Sequence, residues 1–348
     1  MTRHRLPAAA LLGALLAALG LVATPSLAQT KLTVAAYGGS FEEMMRKEII
    51  PAFEKKANVK VEYVAGNSTD NIARLQAQKA NQEIDVAIVD DGPMYQAVAL
   101  GLCGDLKGVN FADLYPVADM KTGKSVTVGV VATGLMYNTK YFADNKLPAP
   151  TSWNDLKDPK FKGKLVVPPL NNTYGLQMVI MLARMNGGGE KNIDPGFKVM
   201  KEAVGPNVLA FEPQPGKMTE AFQNGSAVIA VWGSGRVKAF QATGFPAEFV
   251  YPKEGAMALG ISACPVAKAN ASPLAQEFIA FLLQPEMQVV LAKSSGSGPV
   301  NRKAVLPPEL QKGLPYGDAV AKLLTTDWDT VNANRAAWNN RWTREIER

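Results

Sequence analysis

The sequence predicts an α/β protein built on mostly parallel sheet, and three observations carry that expectation. Strand-like apolar runs alternate with capped amphipathic helices, one run is apolar almost throughout, and the alternation resumes in a second region of the chain. Residues 31–36 (KLTVAA) read as a first strand. Tyr37-Gly38-Gly39 turns, and Ser40 with Glu43 has the form of a capping box. It opens a helix whose apolar stripe is Phe41, Met44, Met45, Ile49, Ala52 and Phe53. Residues 59–64 (VKVEYV) make the next strand, and Thr69 or Asp70 caps a helix carrying Ile72 and Leu75. Residues 84–89 (IDVAIV) are the nearly continuous apolar strand expected when both faces of a sheet are covered.

The second region repeats the logic. Residues 125–137 (SVTVGVVATGLMY) are strand-rich, Thr151-Ser152-Trp153 introduces a short helix, and residues 164–167 form a strand ending at Pro168-Pro169. Asn172 or Thr173 starts a helix over 174–185, closed by Gly187-Gly188-Gly189. Residues 228–232 (VIAVW) are another buried strand, 255–266 have strand character, and Ser272 caps a helix running to Leu283. From Asp318 onward the chain reads as helical. No tandem repeat or low-complexity linker separates the two regions, which implies lobes joined by several chain crossings.

The 348 residues point to about two domains at roughly 150 residues each. With 47% hydrophobic and 20% charged residues the chain has material for a sizeable core, which excludes whole-chain disorder. His4 is the single histidine. It lies in a segment expected to be removed, so the mature chain lacks Ser-His-Asp or Cys-His catalysis and His-ligated zinc or iron. Cys103 and Cys264 show no CxxC spacing and so offer no local thiolate metal site. In an oxidising compartment they either pair or remain as two buried thiols. No metal or cofactor is expected.

The N-terminus has the form of an export signal over residues 1–28. Arg3 and Arg5 precede an apolar run over 6–23, and Ser26-Leu27-Ala28 is a small-x-small cleavage pattern. An uncleaved anchor is the alternative; no second stretch approaches the ~18 apolar residues of a membrane span. Removing Arg3 and Arg5 lowers the formal charge from +6 to +4. The remaining excess is diffuse, and its densest stretch, 157–164, is broken by Asp158 and Pro159, so nucleic acid is not an expected partner.

In open α/β sheets ligands sit at the carboxyl ends of strands, beside helix N-termini. The turns at such places supply the candidate ligand-binding residues: Tyr37, Gly39, Ser40, Asp90, Asp91, Asn172, Thr173, Tyr174, Trp232, Ser234 and Arg236. Their backbone N–H groups, hydroxyls and amides suit a small polar solute, and helix N-termini favour anions. Each has a structural alternative: Ser40 as a helix cap, Asp90 and Asp91 as turn residues, Trp232 as a core aromatic, Arg236 in a surface ion pair. Neither GxGxxG nor GxxxxGK[ST] is present. No catalytic residue is expected, since adjacent carboxylates such as Asp90-Asp91 usually point apart and no G-x-S-x-G motif accompanies them. A secreted enzyme remains the rival class.

Taken together, LTVAAYGGSFEEMM, EIDVAIVDDG, TSWNDLKDPKFKGKLVV, VIAVWGSGRV, YPKEGAMALGISACPVAKA, IAFLLQPEMQVVLAKSSGSGPVN and DWDTVNANRAAWNNRWTREI follow a familiar order. The chain resembles the periplasmic solute-binding proteins of ABC importers, in the branch with spermidine/putrescine, thiamine and iron binders. The resemblance implies a two-lobed fold with a hinge and a ligand cleft, each lobe a mostly parallel sheet flanked by helices. It implies residues 29–126 with 264–348 as one lobe and 127–263 as the other. It also implies a monomer in the periplasm that delivers its ligand to a membrane permease. The family's polyamine-binding pattern is not kept. Its aromatic first-loop position falls on Gly38 or Gly39, acidic positions fall within 171–174, an aromatic and acidic pair falls near Leu259 and Ile261, and a late tyrosine falls near Ser297. Trp232 alone carries over clearly. A desolvated dication needs carboxylates, so the expected ligand is a small carboxylate or a zwitterion such as an ω-amino acid. Arg236 would be the fork for its anion and Asp91 a partner for its amine. Polyamine or thiamine binding by the same fold is the alternative; iron is not expected without a Tyr-Tyr pair or histidine.

Overall fold

The computed structural model describes residues 1–2 and 30–347, so the expected export signal over 1–28 lies outside the described residues apart from Met1 and Thr2. Nine strands form one hydrogen-bonded sheet. They are β1 (Lys31–Ala36), β2 (Lys60–Ala65), β3 (Val86–Asp90), β4 (Val126–Asn138), β5 (Leu165–Val167), β6 (Val208–Phe211), β7 (Ile229–Gly233), β8 (Ala247–Val250) and β9 (Met257–Pro265). The order is β2-β1-β3-β9-β4-β7-β5-β6, with β8 also paired to β4.

The outer pairs β1/β2, β1/β3, β5/β6 and β5/β7 are parallel. The two parallel regions are joined by β9 and β4, which run antiparallel to each other and to their neighbours. Residues 126–133 of β4 pair with β9, while residues 133–138 pair with β7 and β8. These two strands are the crossings between the halves. Hydrogen bonding is continuous through them rather than divided between separate sheets.

The helices cover both faces: α1 (Ser40–Met44), α2 (Ile50–Ala57), α3 (Ser68–Ala77), α4 (Asp91–Ala99), α5 (Thr139–Asp144), α6 (Thr173–Arg184), α7 (Asp194–Val199), α8 (Pro215–Gln223), α9 (Ser234–Ala242), α10 (Pro273–Leu282), α11 (Pro285–Ser295), α12 (Pro308–Gln311), α13 (Asp318–Ala321) and α14 (Trp328–Glu345). Two predicted caps are corrected. The cap of α1 is Gly39, at φ +68, with Ser40 as the first helical residue rather than the cap. The cap of α3 is Asn67, whose side chain accepts from the Asp70 N–H in a reciprocal capping box. Asn172 and Ser272 cap α6 and α10, at the places the sequence indicates.

Separate apolar cores lie under the two halves. Phe53 packs edge-on against Phe278 beneath β1 and β3. Trp153, Phe161, Phe197 and Met200 fill the second half. Burying one such side chain contributes about 1.5–3 kcal/mol. Cys103 and Cys264 are joined as a disulfide with Cα atoms 5.8 Å apart, tying the loop after α4 to the end of β9. The C-terminal helix touches both halves. Trp328 packs on Gly92 of α4, where a Cβ would meet its ring at 2.5 Å. Trp342 lies against Phe211, ring centroids 5.2 Å apart.

Candidate functional site

The parallel strands β1, β3, β5 and β7 end at Ala36, Asp90, Val167 and Gly233, and the starts of α1, α4, α6 and α9 follow. This is the arrangement that gathers helix N-termini around a crevice. A cavity of about 350 Å³ lies there. Tyr37, Phe41 and Asp90 line it from the first half, Tyr174, Arg236 and Lys238 from the second. Lys293 to Gly296, at the end of α11, close another side. The crossing strands contribute Val131, Leu259 and Ile261, the latter two on one face of β9 by the period-two rule. A larger depression of about 700 Å³ lies among Lys157, Asp194, Lys198 and Arg341, but no candidate residue lines it. Arg341 there is already paired with Asp194 and Glu345.

Asp90 organises the first half's side of the cavity. The Tyr37 hydroxyl donates to its Oδ1 at 2.7 Å, and the Thr173 hydroxyl, from the other half, lies 3.4 Å from its Oδ2. Its backbone N–H donates to Ser68 Oγ at 3.1 Å. Burial pushes the Asp90 carboxyl above the usual carboxylate range, and the hydrogen bonds from Tyr37 and Thr173 and the charge of Arg236 oppose that rise. Burial, reinforced by the Asp90 charge, raises the Tyr37 phenol well above its ordinary value. Tyr37 therefore stays protonated as a fixed donor.

The second half supplies the cation. Arg236 lies in the first turn of α9, is exposed, and has no carboxylate within ion-pair distance among the described residues. Tyr174 lies beside it, its phenol raised by burial and partly relieved by the Arg236 charge. The Tyr174 hydroxyl occupies the space a Cβ on Gly233 would need, 2.4 Å from that position, so glycine is required there. The halves meet at Gly235 and Gly296. A Cβ on Gly235 would fall 2.7 Å from the Gly296 carbonyl oxygen.

Of the candidate residues, Tyr37, Asp90, Tyr174 and Arg236 line the cavity and Thr173 touches it through Asp90. The others lie apart. Trp232 is buried beside Phe240 in the core under β7, ring centroids 6.4 Å apart, and borders a separate shallow groove. Ser234 is fully buried, its hydroxyl accepting the Ala132 N–H at 3.0 Å. Asn172 caps α6 through the Tyr174 N–H. Gly39 serves the left-handed turn before α1. The Ser40 side chain lies outside what is described.

Asp91 is not among the cavity's lining residues; it faces the crossing strand and α14. Burial, then the neighbouring Asp90 charge, pushes its carboxyl up to about 7, against the pull of the Gly260 N–H, the Trp328 indole and the Gly92 N–H. Sequence reasoning missed Phe41, Lys238, Lys293 and the Ser295-Gly296 corner. The glycine closing α11 in a left-handed C-cap was the one local signal for that corner. Leu259 and Ile261, near which the resemblance placed lost polyamine contacts, do line the cavity.

A family model described as bacterial extracellular solute-binding protein matches residues 48–315. The chain is 26% identical over 347 residues to a putative 2-aminoethylphosphonate-binding periplasmic protein of Salmonella typhimurium, covering 96% of this chain and 98% of the relative. It is also 26% identical over 307 residues to a gamma-aminobutyric acid-binding protein of Pseudomonas aeruginosa, covering 83% of this chain and 82% of that one. The fold matches the crystal structure of an ABC transporter protein from Clostridium perfringens with a TM-score of 0.76 at 24% identity, covering 90% of this chain and 99% of that one.

Proposed function

The chain belongs to the bacterial extracellular solute-binding protein family, and from that premise we propose that its cleft captures a small zwitterion of the ω-amino acid type for an ABC importer. One observation carries the ligand class. A carboxylate, Asp90, and a guanidinium, Arg236, come from opposite halves to one cavity of about 350 Å³ with apolar walls. The ligand's ammonium pairs with Asp90 and its anion with Arg236, while Leu259 and Ile261 accommodate the methylenes between. A polyamine dication would meet one carboxylate and three cations among the lining residues, which supports the zwitterion. The names of the Salmonella and Pseudomonas relatives specify an aminophosphonate and an amino carboxylate, both zwitterions.

The mechanism is capture and release without bond chemistry. One lobe is residues 29–126 with 264–348, the other 127–263, and hinge motion through β4 and β9 closes them on the solute. Asp90 and Asp91 face different surroundings, which supports binding over acid–base catalysis. The chain acts as a monomer in the periplasm after loss of residues 1–28, and hands the solute to a membrane permease. Among the described residues no helix is long and apolar enough to cross a membrane.

A thermal-shift panel of ω-amino acids, simple carboxylates, aminophosphonates, putrescine, spermidine and thiamine tests the reading. A ligand at one hundred times its Kd stabilises by about 2.7 kcal/mol. Stabilisation by zwitterions is expected; stabilisation by polyamines alone, or by none of the panel, overturns it.

A further inference from the structure

We infer that Lys238 and Lys293 are specificity-determining residues that read a second negative charge on the ligand's anionic head, so that the site selects a phosphono or phosphate head over a carboxylate. This inference rests on the zwitterion reading. The two lysines come from opposite halves. Lys238 is one turn into α9, and Lys293 is in the last turn of α11. These helices meet end to end at Gly235 and Gly296, and both lysines line the cavity beside that junction, as does Arg236.

The charge balance of the cavity is uneven. Its ionised lining groups are Asp90 against Arg236, Lys238 and Lys293, a net of +2 (three cations less one carboxylate). Among the described residues none of the three cations has a carboxylate within 4.0 Å. Lys238 Nζ approaches only the Glu309 carbonyl, at 3.4 Å. Glu48, which reaches the end of α11, accepts a hydrogen bond from the Ser294 hydroxyl at 2.7 Å instead. The N-terminus of α9, a nine-residue helix, adds its positive end at Gly235. A carboxylate satisfies Arg236 and leaves both lysines unmatched. A tetrahedral dianion has a third oxygen and a second charge for them.

The test compares, by calorimetry, aminopropylphosphonate with aminobutyrate, which share one spacer, and adds phosphoethanolamine to separate phosphonate from phosphate ester. At pH 8 the phosphorus head is a dianion, and near pH 5 it is a monoanion, since its second ionisation falls at about pH 6. Both amines use Asp90, so the affinity ratio isolates the head. We expect the phosphonate to bind at least tenfold tighter at pH 8, with the ratio shrinking severalfold at pH 5. Lys238→Gln and Lys293→Gln should each cost the phosphorus ligands about fivefold and aminobutyrate less than twofold. Equal binding of both heads, or equal losses for both in the variants, overturns the inference and leaves the zwitterion reading standing. Binding of neither removes the reading and the inference together.

Discussion

The two halves of the molecule bring opposite plans to the cleft. The first half supplies Asp90, half-buried and already hydrogen-bonded by Tyr37 and by Thr173 of the second half. Around the same cavity, Arg236 and Lys293 are exposed, and neither has an ion-pair partner among the described residues. The Asp90 side is preorganised, so on the proposed reading little ordering entropy would be lost when an ammonium arrives. The Arg236 side keeps long cationic side chains in water, where on the proposed reading they would draw an anion in and lose freedom only on contact. On the proposed zwitterion reading, a solute would meet the Arg236 side as a field and the Asp90 side as a shape.

The largest expected effect removes the forked cation. Arg236→Ala should weaken an anionic ligand about a hundredfold, the upper range for hydrogen bonds to a charged group; undiminished binding by calorimetry would separate Arg236 from the site. Asp90→Asn should cost a zwitterion about thirtyfold and an amine-free carboxylate almost nothing. The same residue sets a pH dependence. Its carboxyl is raised by burial above the usual carboxylate range and must be ionised to hold an ammonium, so zwitterion affinity should fall toward acid pH and do so less in Asp90→Asn.

A smaller effect concerns the place where the halves are brought together. Gly235→Ala puts a Cβ 2.7 Å from the Gly296 oxygen, yet alanine favours the helix by about 1 kcal/mol. Affinity should fall about tenfold through faster release, and the thermal midpoint should fall too, since the atoms met are backbone and must shift. Unchanged release kinetics would mean that the junction absorbs the added methyl.

The smallest effect tests the acid outside the cleft. The folded Asp91 carboxyl titrates near 7, above its unfolded value of about 3.9. The folded state then binds the extra proton, and that stability is present in acid and lost as pH rises through about 7. The thermal midpoint should fall by a few degrees between pH 5 and 8, and Asp91→Asn should flatten that slope.

Much of the frame was legible in the residues. Both crossing strands and the cores of β1, β3, β5 and β7 are apolar runs, with boundaries displaced by one or two residues. The strands β6 and β8 escaped notice because they are four residues each and incompletely buried, too short to read as strands on their own. The site was half legible. Strand ends led to Tyr37, Asp90, Tyr174 and Arg236. They misled at Trp232, because β7 is covered on both faces and its last residues belong to the core as well. Ser234 has a backbone partner more than a hundred positions away, and no local pattern reports that. Lys238 and Lys293 look like solvated helix charges; only the docking of α9 on α11 brings them to one opening.

The last helix sets the terms for any such movement. Trp328 is seated on Gly92, beside the acid pair, while Trp342 is wedged against Phe211 at the far edge of the sheet. A splint fixed at both ends resists bending between them. Parting the jaws must therefore slide the first indole across its glycine or unseat the second, and the stiffness of this brace sets how readily an empty mouth gapes.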